Sequence, residues 1–562
     1  MVQEQFVQPQ DLATNGSSSS SENERQIDAQ ATSEPTYPPT RKVLVIMAGM
    51  YLTIFLVSID RLIVGVAVPR ITDDFHSLGD VGWYGSAYLL TTCAFTLFWG
   101  RVFTFYSPKW VYLSSLVVFE VGSAVSGAAP TSKALIIGRA IAGIGSAGLF
   151  QGNITIIVHI LPLHERPQYT GFIGMMMGIA SAAGPLLGGA FTDGPGWRWC
   201  FYLNLPCGGI VLVLLLFFLH IPRENLQRKP PTLKQVVTRF DFFGIFFLLP
   251  SIICLLLALQ WGGLTYSWSN ARVIALLVSS GILLIIFLII QRWKGENATV
   301  PGHIFWNRSI VAGVWFSFFM FAALQTAIYF LPVWFQAIKG ASAIKSAIMN
   351  LPMLLGLSIT LVLAGVLTKK TGHYVPWMIL SSILSTIGMG LISTFTPHTE
   401  HSAWIGYQAF FGLGLGLGMQ QPLLAVQTVL AREDVPTGAS LMILSQTLGG
   451  AVFISVGNNL LDSQLTRELA PISGIDIDTV TKIGATDLRT MIPASKLPQV
   501  LIAYNAALRS TFYLATALAC ATIFGSLTMK WMTIKVAQQK APNGVSADAH
   551  PRKKIEKTKE QA

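Results

Sequence analysis

Fourteen long apolar stretches alternate with short polar segments along this chain. Each has about the 20 residues that an α-helix needs to cross the hydrocarbon core of a bilayer. Backbone groups in lipid must be hydrogen-bonded within the protein, which favours helices over irregular chain. The stretches run approximately over residues 43–68, 80–99, 110–129, 134–158, 168–192, 201–221, 241–261, 271–291, 309–332, 344–367, 375–394, 403–427, 437–458 and 511–534. The pattern predicts an all-α integral membrane protein with fourteen transmembrane helices.

The polar segments divide the chain into predicted regions. The first residues are polar and include the run Ser17–Ser21, and no apolar signal-peptide core precedes Arg41 and Lys42. The segment 459–510 carries several charges and no clear span, which predicts a long outer loop. The regions are a disordered cytosolic tail at 1–42, a six-helix half at 43–222, a loop with two linker helices at 223–300, a second six-helix half at 301–535, and a basic cytosolic tail at 536–562.

Composition excludes several classes of protein. Of the 562 residues, 52% are hydrophobic and 12% are charged, whereas soluble domains carry about 25% charged residues. With a mean hydropathy of +0.55, the chain would expose a very large apolar surface if it folded as one soluble globule. A soluble enzyme, a disordered scaffold and a nucleic-acid-binding protein are therefore excluded, and no enzymatic activity is expected.

Charge and motifs narrow the choice further. The net charge of +11 comes largely from basic residues in the loops on the side of the two tails, which places both termini in the cytosol next to membrane lipids. The five cysteines form no CxxC pair, so neither a metal site nor a disulfide framework is expected. No phosphate-binding G-x-x-x-x-G-K-[ST] loop occurs. Uphill transport would therefore use an ion gradient, and no cofactor is expected.

Two basic turns predict an internal repeat. Gly100 ends the second stretch and opens a turn that includes Arg101 and Lys109, whereas Gly365 ends the tenth stretch and opens a turn that includes Gly372. Both turns carry cations and break the helix after about seven residues. Their matching positions indicate two parallel six-helix repeats, with the seventh and eighth stretches inserted between them. We expect these turns to be conformational loops.

Five segments match a known family. They are Ile59-Asp60-Arg61 to Pro69, Gly100–Lys109, Gly138-Arg139 to Gly145, Gly184-Pro185 to Gly189, and Gly196–Trp199. With them the chain resembles the major facilitator superfamily and, within it, the fourteen-span drug:proton antiporters, especially fungal efflux pumps for toxins and other secondary metabolites. The family usually has Asp and Gly where this chain has Thr104 and Ser107, so a charge latch through that Asp does not carry over.

The resemblance implies two six-helix halves with two inserted linker helices. It also implies export of hydrophobic or amphipathic organic compounds, such as a drug or toxin, in exchange for protons by alternating access. Two alternatives remain open: uptake or vacuolar transport of siderophore-iron or basic amino acids, and a non-transporting membrane receptor. We expect a monomer in the cell membrane, with the vacuolar membrane as the alternative.

Four charged residues lie inside the predicted spans and are candidates for proton coupling. They are Asp60, Arg61, Glu120 and Arg139. Such residues usually face a cavity and have partners, because a charge in the bilayer centre is costly. Asp60 could instead pair with an arginine that locks an outer gate, and Glu120 could make a structural hydrogen bond. The resemblance associates Arg139 with proton coupling.

The fifth stretch contains Gly184, Pro185, Gly188 and Gly189. Proline removes a backbone donor and predicts a kink, and the glycines allow close packing by another helix. The resemblance marks this segment as the antiporter motif, and only that resemblance sets the direction of transport as export.

Several polar and aromatic residues within spans are candidates for a substrate cavity. They are Gln151, Gln325, Tyr329, Gln420 and Gln421. A large apolar pocket with a few amides suits bulky amphipathic solutes. The same amides could instead form hydrogen bonds between helices, and Tyr329 could face lipid.

Overall fold

The computed structural model describes residues 37–77, 80–221, 241–263, 265–472 and 492–534. Within these residues the chain forms α-helices joined by short turns, with isolated β-bridges in place of any strand. Residues 1–36 of the predicted first tail, residues 222–240 of the predicted cytosolic loop and the predicted tail at 536–562 lie outside the described residues. The predicted all-α fold is confirmed.

The described residues contain fourteen long helices, which follow the predicted stretches in order. Their bounds are α1 Thr40–Phe75, α2 Val81–Phe105, α3 Pro108–Gly127, α4 Ser132–Ile160, α5 Arg166–Asp193, α6 Trp199–Phe218, α7 Phe242–Trp261, α8 Ala271–Lys294, α9 Arg308–Ala337, α10 Leu351–Thr371, α11 Val375–Ile392, α12 His401–Val429, α13 Val435–Leu469 and α14 Leu497–Thr528. Two short helices, Gly302–Phe305 and Ala343–Met349, lie between them.

Thirteen of the helices in the described residues are long and apolar enough to cross a membrane. The remaining long helix is α2, a continuous helix of 25 residues. Its most apolar stretch falls short of the mean hydropathy that the other thirteen helices reach. The count of fourteen spans therefore stays a prediction.

The long helices pack as two groups of six, with a pair between them in sequence. In the first group α4 packs against α2 and α3, and α6 packs against α1 and α3. In the second group α9 packs against α13 and α14, and α12 packs against α10 and α11. The alternating glycines of α12 explain part of this packing. A Cβ at Gly416 would overlap the hydroxyl of Thr360 on α10, whereas a Cβ at Gly414 would overlap the backbone of Ser385 on α11. These glycines let α12 fit between α10 and α11.

Helices α7 and α8 form the inserted pair. Ser251 and Ser280 join them by reciprocal bonds, since each hydroxyl donates to the other residue's carbonyl oxygen at 2.9 Å. Buried Asp241, at the start of α7, accepts from Gln291 at 2.6 Å and pairs with Lys294 at 3.3 Å. Through α7 the pair contacts both α2 and α13. It therefore lies along the boundary between the two halves.

The segment predicted as an outer loop at 459–510 is shorter in the structure. Helix α13 continues to Leu469 and α14 begins at Leu497, whereas residues 473–491 lie outside the described residues. The charged residues that interrupt the apolar pattern, such as Asp462 and Arg467, therefore lie on helical turns beyond the apolar run. The charged residues ended the predicted membrane span at residue 458, but the helix itself continues through them to Leu469.

A histidine links the segment after α8 to the start of α13. His303 Nδ1 lies 2.7 Å from Glu296 Oε2, and its Nε2 lies 3.0 Å from Asp434 Oδ2. Partial burial lowers the pKa of His303, but hydrogen bonds to Asp434 and Glu296, together with their charges, raise it above its usual value. Its contribution to stability is therefore complete below the unfolded-state pKa, about 6.5, and disappears as pH rises through the higher folded-state pKa.

We expect His303→Gln to lower thermal stability at pH 6 and to have little effect at pH 8.5. The loss should be about 1 kcal/mol or less, because these groups are partly exposed. Thermal unfolding of the purified protein at the two pH values measures it. His398→Gln, at an exposed histidine on a turn, is the matched control. An equal loss at both pH values would contradict the expectation.

Candidate functional site

A cavity of about 290 Å³ lies between the two halves. Both halves line it, through α1, α2, α4 and α5 on one side and α9, α12 and α13 on the other. Helix α7 adds Leu256, Leu259 and Gln260, so the inserted pair forms part of the wall. Most of the wall is apolar, with amide and hydroxyl groups between the apolar side chains. The cavity suits an organic solute with an apolar body and a few hydrogen-bonding groups.

The halves close on each other at the end of the molecule where α1 begins and α14 ends, here named the tail side. Gln151 Nε2 on α4 donates to the carbonyl oxygen of Pro436 on α13 at 2.6 Å. Gly100 at the end of α2 meets the same turn of α13, where a Cβ would lie 2.9 Å from Ser440 Cβ. The last turns of α2 therefore contact the opposite half.

The second half repeats this contact. Gly365 on α10 lies against the start of α5, where a Cβ would lie 3.0 Å from Pro167 C and would overlap its carbonyl oxygen. Lys369 Nζ donates to Gln168 Oε1 at 3.1 Å. We name the contacts of Gly100, Gln151, Gly365 and Lys369 with the opposite half the tail-side seal. Pro167 and Pro436 begin equivalent helices, so the seal follows the internal repeat.

A buried ion pair lies in the first half. Arg139 Nη1 on α4 is 2.6 Å from Asp60 Oδ2 on α1, and the two side chains are 1% and 0% exposed. Asn204 Nδ2 on α6 donates to Asp60 Oδ1 at 3.0 Å and lies 3.1 Å from Ser123 Oγ on α3. Three helices therefore meet at the carboxylate of Asp60, and α3 joins the network through the contact of Ser123 with Asn204.

Arg139 is held on several sides. Its Nε donates to the carbonyl oxygen of Tyr84 at 3.0 Å, and its guanidinium lies 4.5 Å from the ring centre of Tyr88 and 5.7 Å from that of Phe201. Its Nη2 has no hydrogen-bond partner within the described residues. Tyr88 also lines the cavity. One aromatic ring therefore separates the ion pair from the space where a solute would bind.

Glu120 lies close to this network but outside it. Neither of its carboxylate oxygens has a hydrogen-bond partner in the described part of the chain. It faces Gly208 of α6, where a Cβ would overlap the carboxylate. Ser123 lies about one turn along α3 from Glu120, and Asn204 about one turn along α6 from Gly208. An ionised carboxylate here would be a buried charge with no direct partner, which is costly.

Of the predicted cavity residues, Gln325 and Gln420 line the cavity. Gln151 is buried in the tail-side seal. Gln421 is buried, and its amide donates to the carbonyl oxygen of Leu417 at 3.2 Å. Tyr329 is 45% exposed and lies outside the cavity lining. The structure therefore does not bring these five residues into one site.

The charged candidates separate in the same way. Asp60 and Arg139 pair with each other, whereas Arg61 lines the cavity. Adjacent residues on a helix point about 100° apart, which places Asp60 and Arg61 in different surroundings. Arg139 is the arginine partner that the sequence offered as the alternative role of Asp60.

The glycine and proline segment of α5 packs on α1. A Cβ at Gly188 would lie 3.2 Å from the carbonyl oxygen of Ile63, and one at Gly184 would lie 3.1 Å from Leu62 Cβ. Pro185 lies inside the helix, and a Cβ at Gly189 would meet no atom within 4 Å. Close packing against α1 therefore explains why Gly184 and Gly188 carry no side chain, whereas it does not explain Gly189.

The remaining residues of the conformational turns are fixed locally. Lys109 Nζ donates to the carbonyl oxygen of Leu216 at 2.7 Å, and the buried guanidinium of Arg101 lies 5.0 Å from the ring centre of Phe105. Gly372 ends α10 with a φ of 78°, a conformation that favours glycine. The first turn thus remains anchored to α6 without the family's usual Asp.

Sequence reasoning missed several residues of the site, among them two amides. Asn204 bonds to Asp60, and Gln260 of the inserted pair lines the cavity. Both are single amides in apolar stretches, which is a visible signal. Their partners, however, are distant in the sequence. In the described residues, no cluster of three His, Cys, Asp or Glu side chains is arranged to hold a metal ion.

Comparisons with known proteins agree with this architecture. A family model described as Major Facilitator Superfamily matches residues 50–454. The chain is 49% identical over 495 residues to the "MFS-type efflux pump MFS1" of Trichophyton rubrum, covering 88% of this chain and 92% of that protein. It is 48% identical over 505 residues to the "Efflux pump roqT" of Penicillium rubens, covering 90% and 93%.

The fold is also similar to that of a solved structure. The crystal structure of the human organic anion transporter MFSD10 (TETRAN) matches with a TM-score of 0.54 at 15% identity, covering 86% of this chain and 100% of that chain. At this identity the similarity concerns the fold alone.

Proposed function

The chain belongs to the Major Facilitator Superfamily and is a multi-pass membrane transporter, and we propose that it exports hydrophobic or amphipathic organic compounds in exchange for protons. The observation that carries this proposal is a largely apolar cavity between two repeated halves, separated by the ring of Tyr88 from the buried pair of Asp60 and Arg139. A solute site and a titratable site in such proximity can be coupled.

Export is the proposed direction because the relatives at 48–49% identity are named efflux pumps. We propose that the tail side faces the cytosol and that the protein lies in the cell membrane, with the vacuolar membrane as the alternative. We propose that the transporter works as a monomer, because both halves of a single chain line the cavity.

The proposed cycle is alternating access. In the conformation described, the tail-side seal is closed, and the cavity lining extends to Gln260 and Asn458 toward the opposite ends of α7 and α13. Opening of the seal would admit a solute from the tail side, and its closure would allow release on the other side. The proton and the solute must each bind the two conformations with different affinity for such a cycle to be driven.

Asp60 is the proposed proton acceptor. Its ionised form is stabilised by Arg139 at 2.6 Å and by Asn204 at 3.0 Å. Protonation would remove the charge that holds Arg139, and the guanidinium would remain between the carbonyl oxygen of Tyr84 and the ring of Tyr88. Movement of that ring is the proposed route by which protonation reaches the cavity.

Glu120 is the proposed second proton site, and Glu120→Gln tests it. Glutamine keeps the shape of the side chain but removes its ionisable proton, so we expect a folded protein whose export loses part of its pH dependence. The pH of half-maximal export should shift by about one unit or more. Export from liposomes measured between pH 5.5 and 8.5 would show this shift. An unchanged pH profile would make Glu120 a packing residue only.

Proteoliposomes loaded with the neutral lipophilic dye Nile red test the overall proposal. An imposed proton gradient should drive dye movement against its concentration gradient, and a protonophore should stop it. Protein-free liposomes are the control for passive leakage. Protein-dependent movement that ignores the gradient would overturn proton exchange.

A further inference from the structure

The polar groups that line the cavity are neutral apart from one cationic side chain. Among the described lining residues, Arg61 is the only charged side chain, and no Asp or Glu is present. The other polar side chains are hydroxyls and six carboxamides: Asn153, Gln260, Gln325, Gln420, Gln446 and Asn458. The wall therefore presents one positive charge within an otherwise neutral surface.

The charge of Arg61 is not neutralised by its neighbour in the sequence. The carboxylate of Asp60 binds Arg139 and Asn204, away from the cavity. Within the described residues, Arg61 forms no ion pair with any carboxylate, and its side chain is exposed to the cavity. The neighbouring pair contributes one negative and one positive charge, so it leaves the charge of Arg61 uncompensated.

The amides complement this cation. A carboxamide offers both donors and an acceptor, so it binds hydroxyl and carbonyl groups without selecting a charge. Gln420 Oε1 has no hydrogen-bond partner in the described part of the chain, although the residue lines the cavity. Apolar side chains such as Phe150, Met177 and Phe321 form the surrounding surface. A solute with an aromatic body and oxygen substituents would pack against the apolar side chains and form hydrogen bonds with the amides.

We propose that this cavity selects amphipathic organic acids, whose carboxylate or acidic phenol oxygen binds the guanidinium of Arg61. The inference rests on the proposed function, because it defines the solute of that same cavity. A lipophilic cation would meet the positive charge of Arg61 and no carboxylate to balance it. Hydrogen bonds in which donor and acceptor are both ionised are among the strongest available in such a site. Basic amino acids, an open alternative from the sequence, fit this wall poorly.

Three matched compounds test the charge preference at nearly constant shape. They are anthracene-9-carboxylate, the neutral 9-anthracenemethanol and the cation 9-(aminomethyl)anthracene. We expect the purified protein to bind the carboxylate about tenfold or more tightly than the ammonium compound, since hydrogen bonds to charged groups contribute at this level. Equilibrium binding is followed by anthracene fluorescence at pH 7. Equal affinity for the carboxylate and the ammonium compound would overturn the proposal.

Arg61→Gln assigns the preference to one residue. It should weaken carboxylate binding about tenfold or more while binding of 9-anthracenemethanol changes little, and Arg61→Lys should retain most of the carboxylate affinity. Arg70→Gln makes the same change of charge on the same helix at an exposed position outside the cavity lining, and should leave all three affinities unchanged. Carboxylate affinity that survives Arg61→Gln would overturn the assignment.

These binding measurements need neither a gradient nor transport, so the two proposals can fail separately. Carboxylate binding that depends on Arg61 but is accompanied by no proton-driven movement of Nile red or of anthracene-9-carboxylate would leave the solute class standing and remove proton exchange. Proton-driven dye movement together with equal binding of the carboxylate and the ammonium compound would leave proton exchange standing and remove the proposed solute class.

Discussion

Asp60→Asn is expected to abolish proton-driven export and to destabilise the protein. Asparagine keeps the size of the side chain and one acceptor oxygen, but it leaves the guanidinium of Arg139, which is 1% exposed, without a counter-charge. Removal of one partner from a buried ion pair typically costs about 3–5 kcal/mol. Thermal unfolding in detergent and proton uptake by liposomes, followed with an internal pH dye, measure the two effects separately.

A double variant distinguishes the structural role of the pair from its role in transport. Asp60→Asn together with Arg139→Gln removes both charges, so no unpaired charge remains and much of the lost stability should return. Export should nevertheless stay at the background level, because the proton acceptor is absent. A double variant that is both stable and active in proton-driven export would contradict the proposed role of Asp60.

The chain offers a matched control for these variants. Asp74 also lies on α1 and pairs with Arg198 at 3.3 Å, but the two side chains are 48% and 41% exposed. Since exposed ion pairs contribute about 0–1 kcal/mol, Asp74→Asn should have little effect on stability or on export. A loss as large as that of Asp60→Asn would mean that removal of any carboxylate from α1 is sufficient.

Gly365→Val is expected to prevent closure of the tail side and to reduce export to the background level. A Cβ at this position would overlap the carbonyl oxygen of Pro167 in the closed seal. Backbone cannot yield as a flexible side chain does, so α10 and α5 would have to separate. A transporter that cannot close one side cannot complete an alternating-access cycle.

Hydrogen exchange followed by mass spectrometry would detect this separation directly. We expect faster exchange in Gly365→Val at the end of α4 and at the start of α5, where the seal buries the backbone in the structure. Gly189→Ala is the matched control, because a Cβ there would meet no atom within 4 Å. Wild-type exchange at the seal together with full export in Gly365→Val would argue against a gating role for these contacts.

Much of the fold followed from local pattern. An apolar run of about 20 residues is sufficient to predict a membrane helix, because lipid imposes both its length and its hydrogen bonding. The repeat of Gly100 and Gly365 likewise indicated two related halves, which the tail-side seal displays as equivalent contacts. The pattern failed at α13, where polar residues continue the helix to Leu469 beyond the apolar run.

The candidate site was only partly visible in the sequence. The cost of an intramembrane charge singled out Asp60 and Arg139, although 79 positions separate them. The sequence did not indicate that Asp60 and Arg139 pair with each other. It also did not indicate that Arg61 lines the cavity or that Gln151 lies in the tail-side seal. Each of these outcomes depends on helix rotation, which a nearly uniform apolar pattern does not encode.

The sequence by itself determined that this protein is membrane-embedded and helical, because burial in lipid depends on composition and length, whereas the transporter class followed from its resemblance to a family. The tertiary structure alone decided which polar groups meet one another and which meet the solute. Those decisions need helices from distant parts of the chain, as in the contact of Asn204 with Asp60 across 144 positions. Helix packing determines which of these residues contact each other, and the local sequence around either residue does not identify its partner.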